Sequence, residues 1–258
     1  MDYVWQYLYE PSFFRKGGLF NELEYSIRSV KKNAPPGRYF VVGDKPPVSH
    51  EDVIHIPVAP TLEGRDIAQK NCRDKFTKMS AMAYSDEIGD TFVLLCDDNF
   101  IMQPVTVEDL KINWARAEIK SIDEYIRSEI RTGTTSYKRT WRSSYESVKL
   151  LRDMKGLKTY DWETHTPRFL VKEKLKYVVS TFDFVDDPKH VTAVYDGLYA
   201  ENTQIITSEI QSDLWAHQPK MDLRALLDVP YLNIGDDIIV PEFIQIMEEK
   251  FGVYEEKK

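Results

Sequence analysis

The sequence predicts an α/β fold built on a mainly parallel sheet flanked by helices, with a helical insertion. Three observations carry that prediction. Along the N-terminal part the expected elements run strand, helix, strand, strand, helix, strand, the order that gives parallel strands covered by helices. Two of those strands, RYFVVG and TFVLLC, are short unbroken apolar runs of the kind that buried strands show. Both runs end on aspartate, at Asp44 and at Asp97-Asp98, and in such sheets ligands sit at the carboxyl ends of strands.

In order along the chain, Tyr3–Tyr9 alternates as a first strand and Gly17-Gly18 marks a loop. Asn21–Asn33 is a helix with Leu23, Ile27 and Val30 on one face, broken by Pro35-Pro36-Gly37. Arg38–Gly43 and Asp52–Pro57 are short strands. A helix runs from about Glu63 to Tyr84, and Thr91–Cys96 is the most strand-like segment. Residues 111–160 turn polar and basic and read as a mostly helical insertion or lid. Asp161–Phe169 is a short segment, extended and conformationally fixed ahead of Pro167, and a helix follows near Lys172–Val179. Tyr231–Pro241 reads as a turn plus strand, and Glu242–Phe251 as a final helix. At 258 residues this fits one domain, 1–258.

A formal net charge of -8 gives no global attraction to nucleic acid or to anionic membranes. Cys72 and Cys96 lack CxxC or Cys/His spacing and are expected to be buried free thiols. No apolar run approaches the roughly 20 residues that span a membrane, and the N-terminus has no basic stretch leading an apolar one. The expected location is cytoplasmic, or a host cytoplasm for a phage-encoded protein.

Four constellations could carry chemistry. Asp97-Asp98-Asn99 places two carboxylates on the exit from a buried strand, where like charges raise each other's pKa. Mg²⁺ or Mn²⁺ would relieve that repulsion and bridge to diphosphate oxygens. The apolar flanks FVLLC and Phe-Ile-Met favour this over a plain solvated turn. On the helix KNCRDKFTKMSAMAY, Asn71, Asp74, Lys75, Lys78 and Met82 share a face. Lys78 and Arg73 are candidates for stabilising a departing diphosphate. In Trp162-Glu163-Thr164-His165-Thr166-Pro167, His165 could complete a metal shell or contact a phosphate, and Glu163 could be a general base. Gly235-Asp236-Asp237 is a turn or a sugar-hydroxyl site, with Asp237 a second candidate base. Segment 137–158, with Lys138, Arg139, Arg142, Trp141 and Tyr145, could meet a polyanionic acceptor or be an ordinary exposed amphipathic surface.

NELEYSIRSVKKNAPPGRYFVVGDKP, Asn21 to Pro46, resembles the N-terminal block of Stealth-type sugar transferases. FVLLCDDNFIMQPVTVEDL, Phe92 to Leu110, resembles their apolar strand followed by paired aspartates. DWETHTPRFLVKEKL, Asp161 to Leu175, looks like the acidic-x-His-x-Pro block of phage and bacterial relatives. The resemblance implies a GT-A-like glycosyltransferase using a UDP-type nucleotide sugar, with Asp97 and Asp98 at the metal and His165 at the metal or diphosphate. It also implies that Glu22, Tyr25 and Arg28 shape the donor pocket and that Asp44 approaches the nucleoside. Tyr9, Arg73, Asp74 and Lys78 join the cofactor-binding set. Two positions depart from the pattern: Glu24 stands where arginine is usual, and Cys96 where asparagine is usual. The chain also lacks the blocks that accompany sugar-1-phosphate transfer, which favours moving the sugar itself to an acceptor hydroxyl. The acceptor would be a saccharide or, for a phage enzyme, a hydroxymethylated base in DNA. The rivals are a sugar-1-phosphate transferase and a non-catalytic nucleic-acid or capsid-binding module on the same fold.

Overall fold

The central strand, β1 (Asp2–Tyr7), is buried along nearly all its length, and its pleat divides the core in two. Tyr3, Trp5 and Tyr7 pack with Leu23, Ile27 and Val30 of helix α1 (Glu22–Asn33). Val4 belongs to the opposite layer with Met79, Met82 and Ala83 of α2 (Ile67–Tyr84). The neighbours β2 (Arg38–Gly43) and β4 (Thr91–Cys96) repeat the division. Tyr39, Val41, Val93 and Leu95 lie on the α1 side, and Phe40, Val42, Phe92 and Leu94 on the α2 side. Strands covered on both faces have no polar side to show, which is why these segments read as unbroken apolar runs.

The computed structural model describes residues 1–8, 20–61, 63–64, 67–121, 146–154, 159–162, 164–186, 189–216 and 222–253, except the side chains at 67–68, 215–216 and 236–237. The main sheet has the order β3-β2-β1-β4-β9, where β3 is Val53–Pro57 and β9 is Arg168–Val171. The first four strands are parallel, and β9 runs antiparallel to β4 at the edge. From β1 the chain crosses through α1 to β2, then returns through α2 to β4 on the other side of β1. Opposite directions of travel put the two helices on opposite faces, as right-handed crossovers require. The strand order therefore reverses at β1, and the crevice at the carboxyl ends of β1 and β4 is a topological switch point, where open α/β sheets bind ligands. Asp44 and the Asp97-Asp98 pair end strands that are not neighbours. β1 lies between them, so the two acidic points are about 10 Å apart, two strand spacings.

A smaller sheet, β11-β12-β5, joins β11 (Gln211–Ala216) in parallel and β5 (Asn99–Ile101) antiparallel to β12 (Tyr231–Asp237). The final helix α7 (Pro241–Phe251) packs on it through Phe243, Ile246 and Met247. Because β5 starts directly after Asp97-Asp98, the acidic pair forms the corner between the two sheets. Within the segment expected to be a helical insertion, β6 (Asn113–Ala115), β7 (Glu118–Ile119) and β8 (Thr159–Tyr160) are short strands. Residues 146–154 are helical, as expected, and 122–145 and 155–158 lie outside the described residues. The one-turn helices α3 (Val107–Leu110) and α6 (Leu223–Leu226), the helices α4 (Lys172–Thr181) and α5 (Val191–Tyr199), and β10 (Thr203–Ile205) complete the framework. Among the described residues no helix is long and apolar enough to cross a membrane.

Two local features hold the framework, one of them at the switch-point edge. Gly43 has φ of +131°, and a β-carbon there would lie 2.0 Å from the Tyr7 carbonyl oxygen, so only glycine lets β2 end this close to β1. From the middle of α1, Arg28 donates to the carbonyls of Gly252 (2.8 Å) and Val253 (3.0 Å), satisfying acceptors just beyond the C-terminus of α7.

Candidate functional site

The Asp97-Asp98 corner is held from three sides. Asn99, 2% exposed, takes the Cys96 N–H on its Oδ1 at 3.1 Å and donates from Nδ2 to Asp98 Oδ1 at 3.2 Å. Asn233, fully buried at 0% exposure, faces Asn99 in the β5–β12 register and donates to the Asp98 carbonyl at 3.2 Å. From α1, the Ser26 hydroxyl accepts from the Trp5 indole N–H (2.8 Å) and donates to the Asn99 carbonyl (2.5 Å). Away from the corner, at the other end of β5, Ser29 accepts the Ile101 N–H at 3.0 Å and Asn33 donates to the Ile101 carbonyl at 2.7 Å. The polar face of α1 thus takes the place of a partner strand on the open side of β5, satisfying backbone groups that burial would otherwise orphan.

Both carboxylates are half-buried. Burial, then the Asp98 charge, pushes Asp97 up to about 7, and burial also raises Asp98. Lys78 opposes the rise at Asp97, and the Asn233 amide and Lys75 oppose it at Asp98. Lys78 is buried at 2% exposure and ion-paired with Asp74, whose other oxygen accepts the Thr61 N–H at 3.1 Å. Burial and the neighbouring aspartates push the Cys96 thiol up to about 12, so it is a neutral wall of the corner. On the far side, Asp213 of β11 is in register with Asn233, is itself raised by burial, and adds to the rise at Asp98. Arg116 pairs with Asp213 at 3.3 Å.

Two carboxylates on one turn, each destabilised as an anion, form a hard-oxygen donor set that fits Mg²⁺ or Mn²⁺ and not a soft metal. Among the described residues no three histidine, cysteine, aspartate or glutamate side chains converge closely enough to hold a metal ion by themselves. Mg²⁺ ordinarily binds through one or two carboxylates plus substrate phosphates, and the corner offers that arrangement.

The other expected residues fall in different places. Asp44 follows β2 at the switch-point edge, where its N–H donates to the Tyr7 carbonyl at 3.2 Å. Glu22 is buried in the first turn of α1, and Tyr25 lies in the core under α7, stacked on Phe20 with centroids 4.6 Å apart. Arg28 clasps the C-terminal chain and pairs with Glu24 at 2.8 Å. Arg73 donates to the Val185 and Glu63 carbonyls at 2.7 and 3.3 Å; it sits five residues from Lys78, about 140° around the helix. His165 is half-buried just before β9, and the hydroxyls of its neighbours Thr164 and Thr166 are 3.1 Å apart. Leu94 pairs with Arg168, so the antiparallel register carries the His-Pro block towards the acidic end of β4. Arg168 fixes that block by donating to the Trp162 and Thr164 carbonyls while pairing with Asp196 at 2.6 Å. Tyr9 and Glu163 lie outside the described residues, as does the Asp237 side chain at the end of β12. Of segment 137–158, only 146–154 is described; there Val148 and Leu151 are buried, whereas Lys149 and Arg152 are exposed.

Asn233, Asp213, Arg116 and Ser26 have no place in the sequence-based site. Asn233 alone left a trace, a polar residue inside the apolar run YLNI.

No protein-family model and no curated protein matches the sequence. In structure the chain is similar to the galactosyltransferase LgtC in complex with donor and acceptor sugar analogues, with a TM-score of 0.47, 13% identity, and coverage of 99% of this chain and 98% of that one. It is similar to an active-site mutant of LgtC, with a TM-score of 0.49, 12% identity and coverage of 99% and 98%. It is similar to apo mouse xyloside xylosyltransferase 1, with a TM-score of 0.40, 8% identity and coverage of 93% and 100%.

Proposed function

We propose that this chain is a glycosyltransferase of GT-A type that binds a nucleoside-diphosphate sugar at the Asp97-Asp98 corner and moves the sugar to an acceptor hydroxyl. One observation carries the reading: two carboxylates, both raised by burial and crowding, sit at the switch point of a parallel sheet with Lys75 and Lys78 beside them. A nucleotide diphosphate with its cation answers both halves of that arrangement, the surplus negative charge on the corner and the positive charge on α2. The resemblance of Asn21–Asp44 to Stealth-type transferases supports a sugar as the transferred group.

In this reading Asp97 and Asp98 would hold Mg²⁺ or Mn²⁺, which when bound neutralises charge on the diphosphate. On α2, Lys75 adds positive charge on the leaving-group side, a pre-organised contribution that needs no rearrangement during reaction, and Lys78, ion-paired with Asp74, supports it from the buried side. Asp44 is assigned to the nucleoside and His165 to the diphosphate, and Glu163 or Asp237 would serve an inverting reaction as base. Asp213 and Arg116, a polar pair across Asn233 from Asp98, would meet sugar hydroxyls.

A thermal-shift screen of nucleotide sugars with and without Mn²⁺ tests this. A UDP-sugar at a hundredfold excess over its Kd should stabilise the protein by about 2.7 kcal/mol, and only when Mn²⁺ is present. A flat response to every nucleotide sugar would remove the proposal.

A further inference from the structure

We infer that Asn233, acting with Asn99, is a positioning residue for the acidic pair: two buried amides hold the Asp97-Asp98 corner in the shape that cation binding needs. This rests on the metal-diphosphate reading of that corner. Asn233 is fully buried on β12, opposite Asn99 in the register and 135 residues from Asp98 in sequence, and its amide donates to the Asp98 carbonyl at 3.2 Å. Asn99 grips the same residue from the other side, with Nδ2 3.2 Å from Asp98 Oδ1, and ties the turn to β4 through the Cys96 N–H. Asn233 thus holds the Asp98 main chain and Asn99 its carboxylate, both from strands of the second sheet.

The cost of this arrangement argues against a purely structural role. Asn233 Oδ1 is buried without a hydrogen-bond partner among the described residues. An unsatisfied buried amide oxygen disfavours folding, so a position chosen for packing alone would be apolar, as its strand neighbours Leu232 and Ile234 are. Reversing the amide would set Oδ1 against the Asp98 carbonyl oxygen, so the orientation is fixed by the contact that matters. Groups that orient metal-binding side chains behave in this way, and their loss weakens metal binding with the ligands themselves intact.

The test is Mn²⁺ affinity, measured by calorimetry in the presence of UDP, for the unchanged protein and for Asn233→Ala, Asn233→Ser and Asn33→Ala. Asn33 supplies the control, because its buried amide also holds β5, through the Ile101 carbonyl at 2.7 Å, without touching the acidic pair. Asn233→Ala should weaken Mn²⁺ binding about 10–100-fold. Asn33→Ala should lower the melting temperature and leave Mn²⁺ affinity unchanged. Asn233→Ser keeps a polar group too short to reach Asp98, carries the same expectation, and serves where the alanine variant does not fold. Mn²⁺ binding by either Asn233 variant as tight as in the unchanged protein, whatever its melting temperature, would overturn the inference. Absence of Mn²⁺ binding in the unchanged protein would instead overturn the reading of the corner on which the inference rests.

Discussion

Asp98→Asn is expected to reduce Mn²⁺-dependent release of UDP from a UDP-sugar by on the order of 10³-fold, and to raise the melting temperature of the metal-free protein. The first effect follows from removing one of two charged ligands to the cation. A contribution of about 4 kcal/mol to the transition state corresponds to that factor at roughly 1.4 kcal/mol per tenfold. The second follows from linkage. Both carboxyls are raised in the folded state, Asp97 to about 7, whereas an unfolded aspartate titrates near about 3.9. The folded protein therefore holds protons that the unfolded chain has released. Its stability is fully present below the unfolded value and is lost as pH climbs through the folded one. Asp98→Asn removes the repulsion, so the variant should gain stability at neutral pH and show a flatter profile between about pH 4 and 7. Thermal unfolding across that range, paired with a UDP-release assay, reads both. An Asp98→Asn protein that releases UDP at the original rate would eliminate Asp98 as a ligand.

Glu24→Gln is expected to destabilise the fold by about 3 kcal/mol at pH 7, lowering the melting temperature by on the order of 10 °C. Glu24 is fully buried at 0% exposure. Its carboxylate accepts from the Ser49 N–H (2.9 Å), the Ser49 hydroxyl (2.8 Å) and Arg28 Nε (2.8 Å). It is the bolt between α1, the loop after β2 and, through Arg28, the C-terminal chain. Burial alone would raise this carboxyl, but the Ser49 hydrogen bonds, His50 and Arg28 outweigh it and hold the pKa below the ordinary glutamate value. A depressed folded value means the contribution is present above the unfolded pKa, about 4.3, and is lost as pH falls through the folded one. The gap between Glu24→Gln and the unchanged protein should therefore be widest at neutral pH and close as the solution is acidified below about pH 4. Denaturant melts at pH 7 and pH 3.5 measure it; a constant gap would mean that the glutamate acts by shape and not by charge.

The strands that carry the acidic groups are legible in the sequence because burial on both faces makes each an unbroken apolar run bounded by Gly37 and Asp44, or Asp90 and Asp97. Their observed ends, Arg38–Gly43 and Thr91–Cys96, match the expected ones. Helix α1 was equally open to reading through its apolar spacing, and Asn21, expected as its first residue, caps it by accepting the Glu24 N–H at 3.1 Å. Helix α5 was not. Val191, Thr192, Val194 and Gly197 are poor helix formers, and the segment is helical because Val191, Val194 and Tyr195 bury against the α2 layer. Its glycine is explained by Leu151, whose Cδ1 lies 2.2 Å from where a β-carbon would sit. The acidic pair was visible as a motif, yet what shapes it was hidden. Ser26 reaches across 73 residues to Asn99, and Asn233 across 135 to Asp98, and no local pattern encodes either contact. Arg28 was assigned to the donor pocket through the resemblance alone, and its contacts with the Gly252 and Val253 carbonyls leave no side-chain signature more than 220 residues away.

Calorimetric titration of UDP into the protein, once with Mn²⁺ and once with the cation chelated, probes the Asp97-Asp98 corner most directly. UDP should bind with Mn²⁺ present, lose its affinity on chelation, and fail to bind when Asp97 and Asp98 are both replaced by alanine. Equal binding with and without the cation, or UDP binding that survives the double replacement, would contradict a metal-bridged diphosphate site at this corner.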